Sequence, residues 1–90
     1  PIIISKKYKN VKRKFLKHLD KNGIESRPII SGNFLNQPAA KLFGFKQKPN
    51  NFPNAQIIED QGFFIGLHTK PINNSILKLL VNKLLSIDEI

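Results

Sequence analysis

Residues 23–34, read GIESRPIISGNF, constrain this chain more than any other stretch. Gly23 follows a helical pattern and stops it. A short strand comes next, interrupted by Arg27 and Pro28, and the stretch closes on the turn signal Gly32-Asn33. Ile24, Ile29 and Ile30 offer apolar faces for a core. Arg27 is one of two arginines in a chain that otherwise carries its positive charge on lysine. Its planar fork of donors suits phosphate or carboxylate as a lysine does not. The plainer reading makes Arg27 a strand-edge residue paired with a surface carboxylate.

The flanking segments supply what this strand must pack against. Pro1 to Ile4 reads as a buried strand. Tyr8, Val11, Phe15 and Leu19 recur at helical spacing and Leu16 widens the stripe, while Lys9, Lys12, Arg13, Lys14, Lys17 and Lys21 fall mainly on the remaining faces. His18 sits beside that stripe as a boundary residue. Asn22-Gly23 is a helix stop. Asn36-Gln37-Pro38 begins a short helix that carries Ala39, Ala40, Leu42 and Phe43 and ends at Gly44. Residues 45–52 read as a loop. Pro53 starts another short helix, closed by Gly62. Gly62 to His68 is the third strand. Asn73 or Asn74 caps a last helix, which is expected to bury Ile76, Leu77, Leu80, Val81 and Leu84 and to lie flat on the sheet, with Leu79 and Leu85 on its flanks. The expected fold is α+β in a single domain over residues 1–90: a small, largely antiparallel sheet of about three strands with helices packed on one face.

Composition narrows the chemistry. Ninety residues make one domain with a modest core. The chain begins at Pro1 and has no methionine, so it reads as a processed chain or as a piece of a longer one. There is no cysteine, hence no disulfide, thiolate nucleophile or thiolate-bound metal, and two histidines are too few for a histidine zinc site. No apolar run approaches the roughly 20 residues of a membrane helix. The start lacks signal-peptide character, so a cytoplasmic setting with no membrane partner is the default. The net charge of +9 invites a nucleic-acid partner. Against it stand the near-exclusive use of lysine, a general bias to asparagine and isoleucine, and a helix that needs a wet face. Gly62 and Gly66 do not sit between strand and helix, as a dinucleotide loop requires. Glu25, Glu59, Asp60 and Asp88 make no convincing carboxylate pair, and Ser26 and Ser31 have no histidine near them in sequence.

Two segments carry a resemblance. GIESRPIISGNFLNQPAAKLF, followed by FPNAQIIEDQGFFIGLHTK, resembles the C-terminal part of the DegT/DnrJ/StrS family, pyridoxal-phosphate-dependent nucleotide-sugar aminotransferases. Within it, the similarity is to the branch of CDP-4-keto-6-deoxyglucose-3-dehydrases of lipopolysaccharide sugar synthesis. The matching positions are Gly23 to Pro28, Gly32 to Phe34, Pro53 to Ala55 and Gly62 to His68. Where the branch usually has an arginine after the glycine-asparagine-phenylalanine turn, this chain has Asn36.

The resemblance implies the small C-terminal domain of a fold-type-I enzyme, inactive alone. The pyridoxal or pyridoxamine phosphate would sit on a large domain, absent here, at a homodimer interface, and no cofactor would bind this piece. None of its lysines matches a cofactor motif, and no residue here is expected to be catalytic. The substrate would be a nucleotide-linked keto-deoxysugar. Arg27 is the natural contact to its pyrophosphate, with Asn33 and His68 at strand ends able to hydrogen-bond the sugar. The alternatives are structural: Arg27 bracing a domain interface, Asn33 capping its own turn, His68 capping a loop. Loss of the large domain would leave an apolar surface bare, with Phe34, Phe45 and Phe63 as candidates.

Two other classes of function compete. A small basic nucleic-acid-binding module predicts steeply salt-dependent binding, but no aromatic stacking platform is interleaved with arginine. A ferredoxin-like ligand-binding regulatory domain predicts a repeated βαβ unit, which the two short central helices spoil.

Overall fold

The structure, a computed structural model, describes residues 1–67 and 69–90. The described residues form three strands and four α-helices: β1 (Ile2–Ile3), α1 (Lys12–Lys21), β2 (Ser26–Arg27), α2 (Pro38–Leu42), α3 (Pro53–Gln61), β3 (Gly62–Ile65) and α4 (Asn74–Leu85). The expected α+β architecture with a three-stranded antiparallel sheet is what they build. β3 is the middle strand. β1 pairs with it through Ile2 opposite Phe63 and Ile3 opposite Gly62, and β2 through Ser26 opposite Ile65 and Arg27 opposite Phe64.

That register sorts the side chains by face, because successive strand residues point to opposite sides. Phe63 is fully buried and meets Phe15 of α1 edge to face, with ring centroids 6.3 Å apart. Leu19 and Ile4 complete the core, and Ile2, Tyr8, Leu16, Ile24, Ile65, Leu84 and Ile87 pack around it. α1 ends as its sequence requires. Gly23 takes φ +80°, its N–H donates to the Asp20 carbonyl, and the N–H of Ile24 donates to that of Leu19. This closure places Ile24 over Leu19 at the last helical turn.

Several boundaries differ from the sequence reading. The stripe from Tyr8 is helical throughout, but Lys6–Val11 winds as a 3₁₀ helix before α1 begins. The second strand, which the sequence lets run from Ile24 to Ile30, is only the two residues Ser26–Arg27. Ile24 belongs to the helix closure, and Pro28 has no N–H to continue the ladder. The third strand stops at Ile65.

The interior differs too. Ile30 is 88% exposed instead of core. Phe63, expected on a bare surface, is central to the core, because a middle strand under α1 has no open side on that face. α4 begins where expected, with Asn73 Oδ1 accepting from the Ser75 N–H, yet it does not lie flat on the sheet. It has no buried residue. Leu80 and Leu84 are partly covered, while Ile76, Leu77, Leu79, Val81 and Leu85 are exposed. The sheet is at most four residues long along any strand, too short to cover a twelve-residue helix.

Candidate functional site

The face of the sheet away from Phe63 carries a cleft of about 490 Å³. Its lining follows from the register. Arg27 and Phe64 are cross-strand partners and so stand on one face. Glu25, two residues before Arg27, reaches the same side, and Pro28, Ile30, Ile65 and Gly66 complete the wall. A volume of this order is that of a small-molecule site, roughly 300–1,000 Å³. A Cβ added at Gly66 would meet nothing within 4 Å, so the backbone there is open to close approach. One Nη of Arg27 donates to Glu25 Oε1 at 3.0 Å, and both side chains are largely exposed. The plainer pairing of Arg27 with a surface carboxylate is thus present, on the wall of a cleft.

Asn33 lies elsewhere, buried to 2% exposure. Its Oδ1 accepts from the Leu35 N–H, and its Nδ2 donates to the Pro49 carbonyl and to Gln56 Oε1, at 2.9 and 3.1 Å. All of these contacts are internal. The turn it caps is conformationally demanding: Ser31 takes φ +69° and Gly32 φ +44°. A Cβ on Gly32 would fall 2.5 Å from the Cβ of Glu59, so only glycine lets the turn settle against α3.

Glu59 is the hub there. Its carboxylate accepts from the Asn33 backbone N–H, Asn36 Nδ2 and Gln56 Nε2. The two segments that carry the sequence resemblance are therefore joined to each other through amides and one carboxylate. Asn36, at the position that departs from the family pattern, spends its amide inside this network. The amide side chains of Gln56, Asn33 and Asn36 carry no charge, and nothing in their spacing marks them as partners in the sequence. Lys12, expected on the wet face of α1, reaches the Glu59 carbonyl at 3.3 Å, and burial lowers its pKa against the opposing pull of Asp60 and Glu59. The Lys9 ammonium, 3.1 Å from Asp60, and the Gln56 amide hold the Asp60 carboxyl below the usual carboxylate range.

The structure does not bring Arg27 and Asn33 to one site: Arg27 is on the sheet face, and Asn33 is inside the turn that follows Ile30. His68 lies outside the described residues. His18 is a boundary residue, 3.1 Å through Nε2 from Ser86 Oγ, whose own hydrogen goes to the Lys83 carbonyl. A second hollow of about 410 Å³ opens beside Asn33, walled by Phe34, Leu35, Phe45, Phe52 and Ala55. Phe34 and Phe45 meet edge to face at 6.0 Å and both remain exposed, as expected for a bare apolar flank. Leu42, the last residue of α2, and Phe43, which follows it, are more exposed still. No described helix is long and apolar enough to cross a membrane.

No protein-family model matches the chain, and no solved structure does. Among curated proteins it is similar to a GDP-4-keto-6-deoxy-D-mannose 3-dehydratase of Escherichia coli. The two are 37% identical over 67 residues, which is 73% of this chain and 17% of that enzyme, so the chain spans about a sixth of the length of the curated relative it matches.

Proposed function

We propose that these ninety residues are the small C-terminal domain of a nucleotide-sugar enzyme of the DegT/DnrJ/StrS type, acting as a 3-dehydrase or aminotransferase on a nucleotide-linked keto-deoxysugar. The observation that carries this reading is the 37% identity to a sugar-nucleotide 3-dehydratase over most of the chain. In the longer protein the enzyme would be a cytoplasmic homodimer of deoxysugar or lipopolysaccharide synthesis, using pyridoxal or pyridoxamine phosphate. The relative's name specifies a GDP-linked 4-keto-6-deoxy-mannose, which favours GDP over the CDP of the branch the sequence resembles.

This domain's share is binding. Among the described residues, the cleft beside Arg27 is lined by no lysine or histidine, and in this reading the cofactor chemistry belongs to residues outside this chain. Arg27 contacts the nucleotide portion of the substrate. Asn33 acts at one remove, holding the turn that follows the Arg27 strand, and His68 stands beyond Gly66 in sequence as a further contact. The chain alone is inert.

The test uses the longer protein that contains this chain, supplied with pyridoxamine phosphate and a GDP-linked 4-keto-6-deoxyhexose. Loss of the sugar's 3-oxygen, read by mass spectrometry, identifies the dehydrase; exchange of the keto oxygen for an amine identifies the aminotransferase. Recovery of unchanged sugar with pyridoxamine phosphate, and again with pyridoxal phosphate and an amino donor, sinks the reading.

A further inference from the structure

The Arg27 cleft is built to read something other than a phosphate. Glu25 Oε1 is 3.0 Å from the Arg27 guanidinium, so any anion that approached the arginine would also face a carboxylate. The pair is neutral in sum. Among the described residues the rest of the wall is apolar: Phe64, Pro28, Ile30 and Ile65, with Gly66 leaving room at the backbone. Such a site suits a flat ring with a polar edge, one that presents donors and acceptors side by side. The ring lies against the apolar wall, and base-on-aromatic contact with Phe64 adds binding that does not depend on which base it is.

The edge decides the base. A carboxylate accepts through two oxygens and an arginine donates through a planar fork. Guanine matches both in one plane. Its N1–H and N2–H donate together to a carboxylate, and the adjacent O6, with N7 beyond it, accepts from a guanidinium. Adenine and cytosine each offer an amino donor beside a ring nitrogen, but neither sends two parallel donors to both carboxylate oxygens. We propose that the Glu25–Arg27 pair, on the wall floored by Phe64, is the base-reading subsite for a guanine nucleotide. This rests on the reading above that the Arg27 cleft receives the substrate's nucleotide. It moves Arg27 from the pyrophosphate to the base and gives Glu25 a role that neither charge nor sequence motif suggested.

The experiment titrates the ninety-residue chain, labelled with ¹⁵N, with GDP, IDP, CDP and ADP, following the amides of Glu25, Arg27, Phe64 and Gly66. GDP is expected to shift these amides with an affinity about tenfold or more above ADP and CDP, the discrimination of one good two-pronged contact. IDP, which lacks the N2 amino group, falls between. In Glu25→Gln one acceptor becomes a donor that opposes the base's own, and the ratio of GDP to ADP affinity drops towards one. In Lys17→Gln, on the far face of α1, the ratio is unchanged. Cleft shifts of equal affinity for all four nucleotides, or a preference for CDP or ADP, overturn the guanine assignment and leave the cleft as the nucleotide site. Shifts confined to the lysines of α1, or none at any nucleotide, overturn the cleft reading itself and the guanine assignment with it.

Discussion

At the residue scale, the turn after Ile30 depends on Asn33. Its amide satisfies an N–H, a carbonyl and a neighbouring amide oxygen where no water reaches. Asn33→Ala would strand these partners and cost about 1–3 kcal/mol, measured as a lowered urea midpoint with an unchanged slope; a loss within a few tenths of a kcal/mol would mean that the turn is held by Glu59 alone. Asp60 gives a pH signature. Its folded pKa lies below its unfolded value, so the unfolded chain binds the proton more readily and stability rises with pH through that window. The contribution is full above about pH 4 and fades as pH falls through the lower folded pKa. The carboxylate is part exposed, so Asp60→Asn should cost only about 0.2–1 kcal/mol at pH 7 and nothing at the acid end. Parallel acid-unfolding curves for the two proteins would refute this. Arg27 was legible in sequence as a residue with a possible partner, since an arginine among lysines stands out. Its partner Glu25 was not, because a two-residue separation says nothing about strand geometry until the strand is known.

Elements were read well where a local signal fixes them. Gly23, Pro38, Pro53 and Asn73 each mark an end by a backbone or capping requirement that needs no tertiary context, and those ends stand where the sequence placed them. Burial was read poorly where it depends on what lies opposite. The apolar side chains of α4 look like core in sequence, but the sheet covers only the turn around Leu84. The two halves of that helix should therefore respond differently. Leu84→Ala removes a side chain packed on the core and is expected to cost about 1–3 kcal/mol, below the full cost of a buried leucine. Leu79→Lys, at 51% exposure, should change stability by less than about 0.5 kcal/mol and raise solubility. Thermal melts of the two variants check both; equal losses would mean that α4 is covered along its length.

The basic residues of α1 and of the 3₁₀ turn before it divide in the same way. Lys9 and Lys12 are tied to Asp60 and Glu59 of α3, whereas Arg13, Lys14, Lys17 and Lys21 share the exposed side. The stripe is what a helix with one buried face leaves to water, and its charge needs no partner to be explained.

The whole molecule is open for its size. Its radius of gyration is 15.9 Å, where a compact domain of this length has about 12 Å. Its surface is 7295 Å², against about 5,400 Å² for a self-standing protein of its mass. The excess, about 1,900 Å², is larger than a typical interface between domains, about 600–1,500 Å², and Ile30, Leu42, Phe43, Leu67 and Leu85 are among the most exposed apolar side chains. A chain that buries so little should unfold with a shallow urea dependence, at or below about 1 kcal/mol per molar. A steeper slope would indicate association into something larger, and sedimentation at the same concentration separates the two.

β3 joins both edges of the sheet, yet it is reached only after two-thirds of the chain. Ile2 waits for Phe63, and Ser26 waits for Ile65. During synthesis on the ribosome, neither early strand has a neighbour to bond until residue 65 has left the exit tunnel. Until then α1 holds Phe15 and Leu19 with nothing to cover them. That interval is when a nascent-chain chaperone has most to shield, and a pause placed once β3 has cleared the tunnel should favour correct pairing more than a pause anywhere earlier.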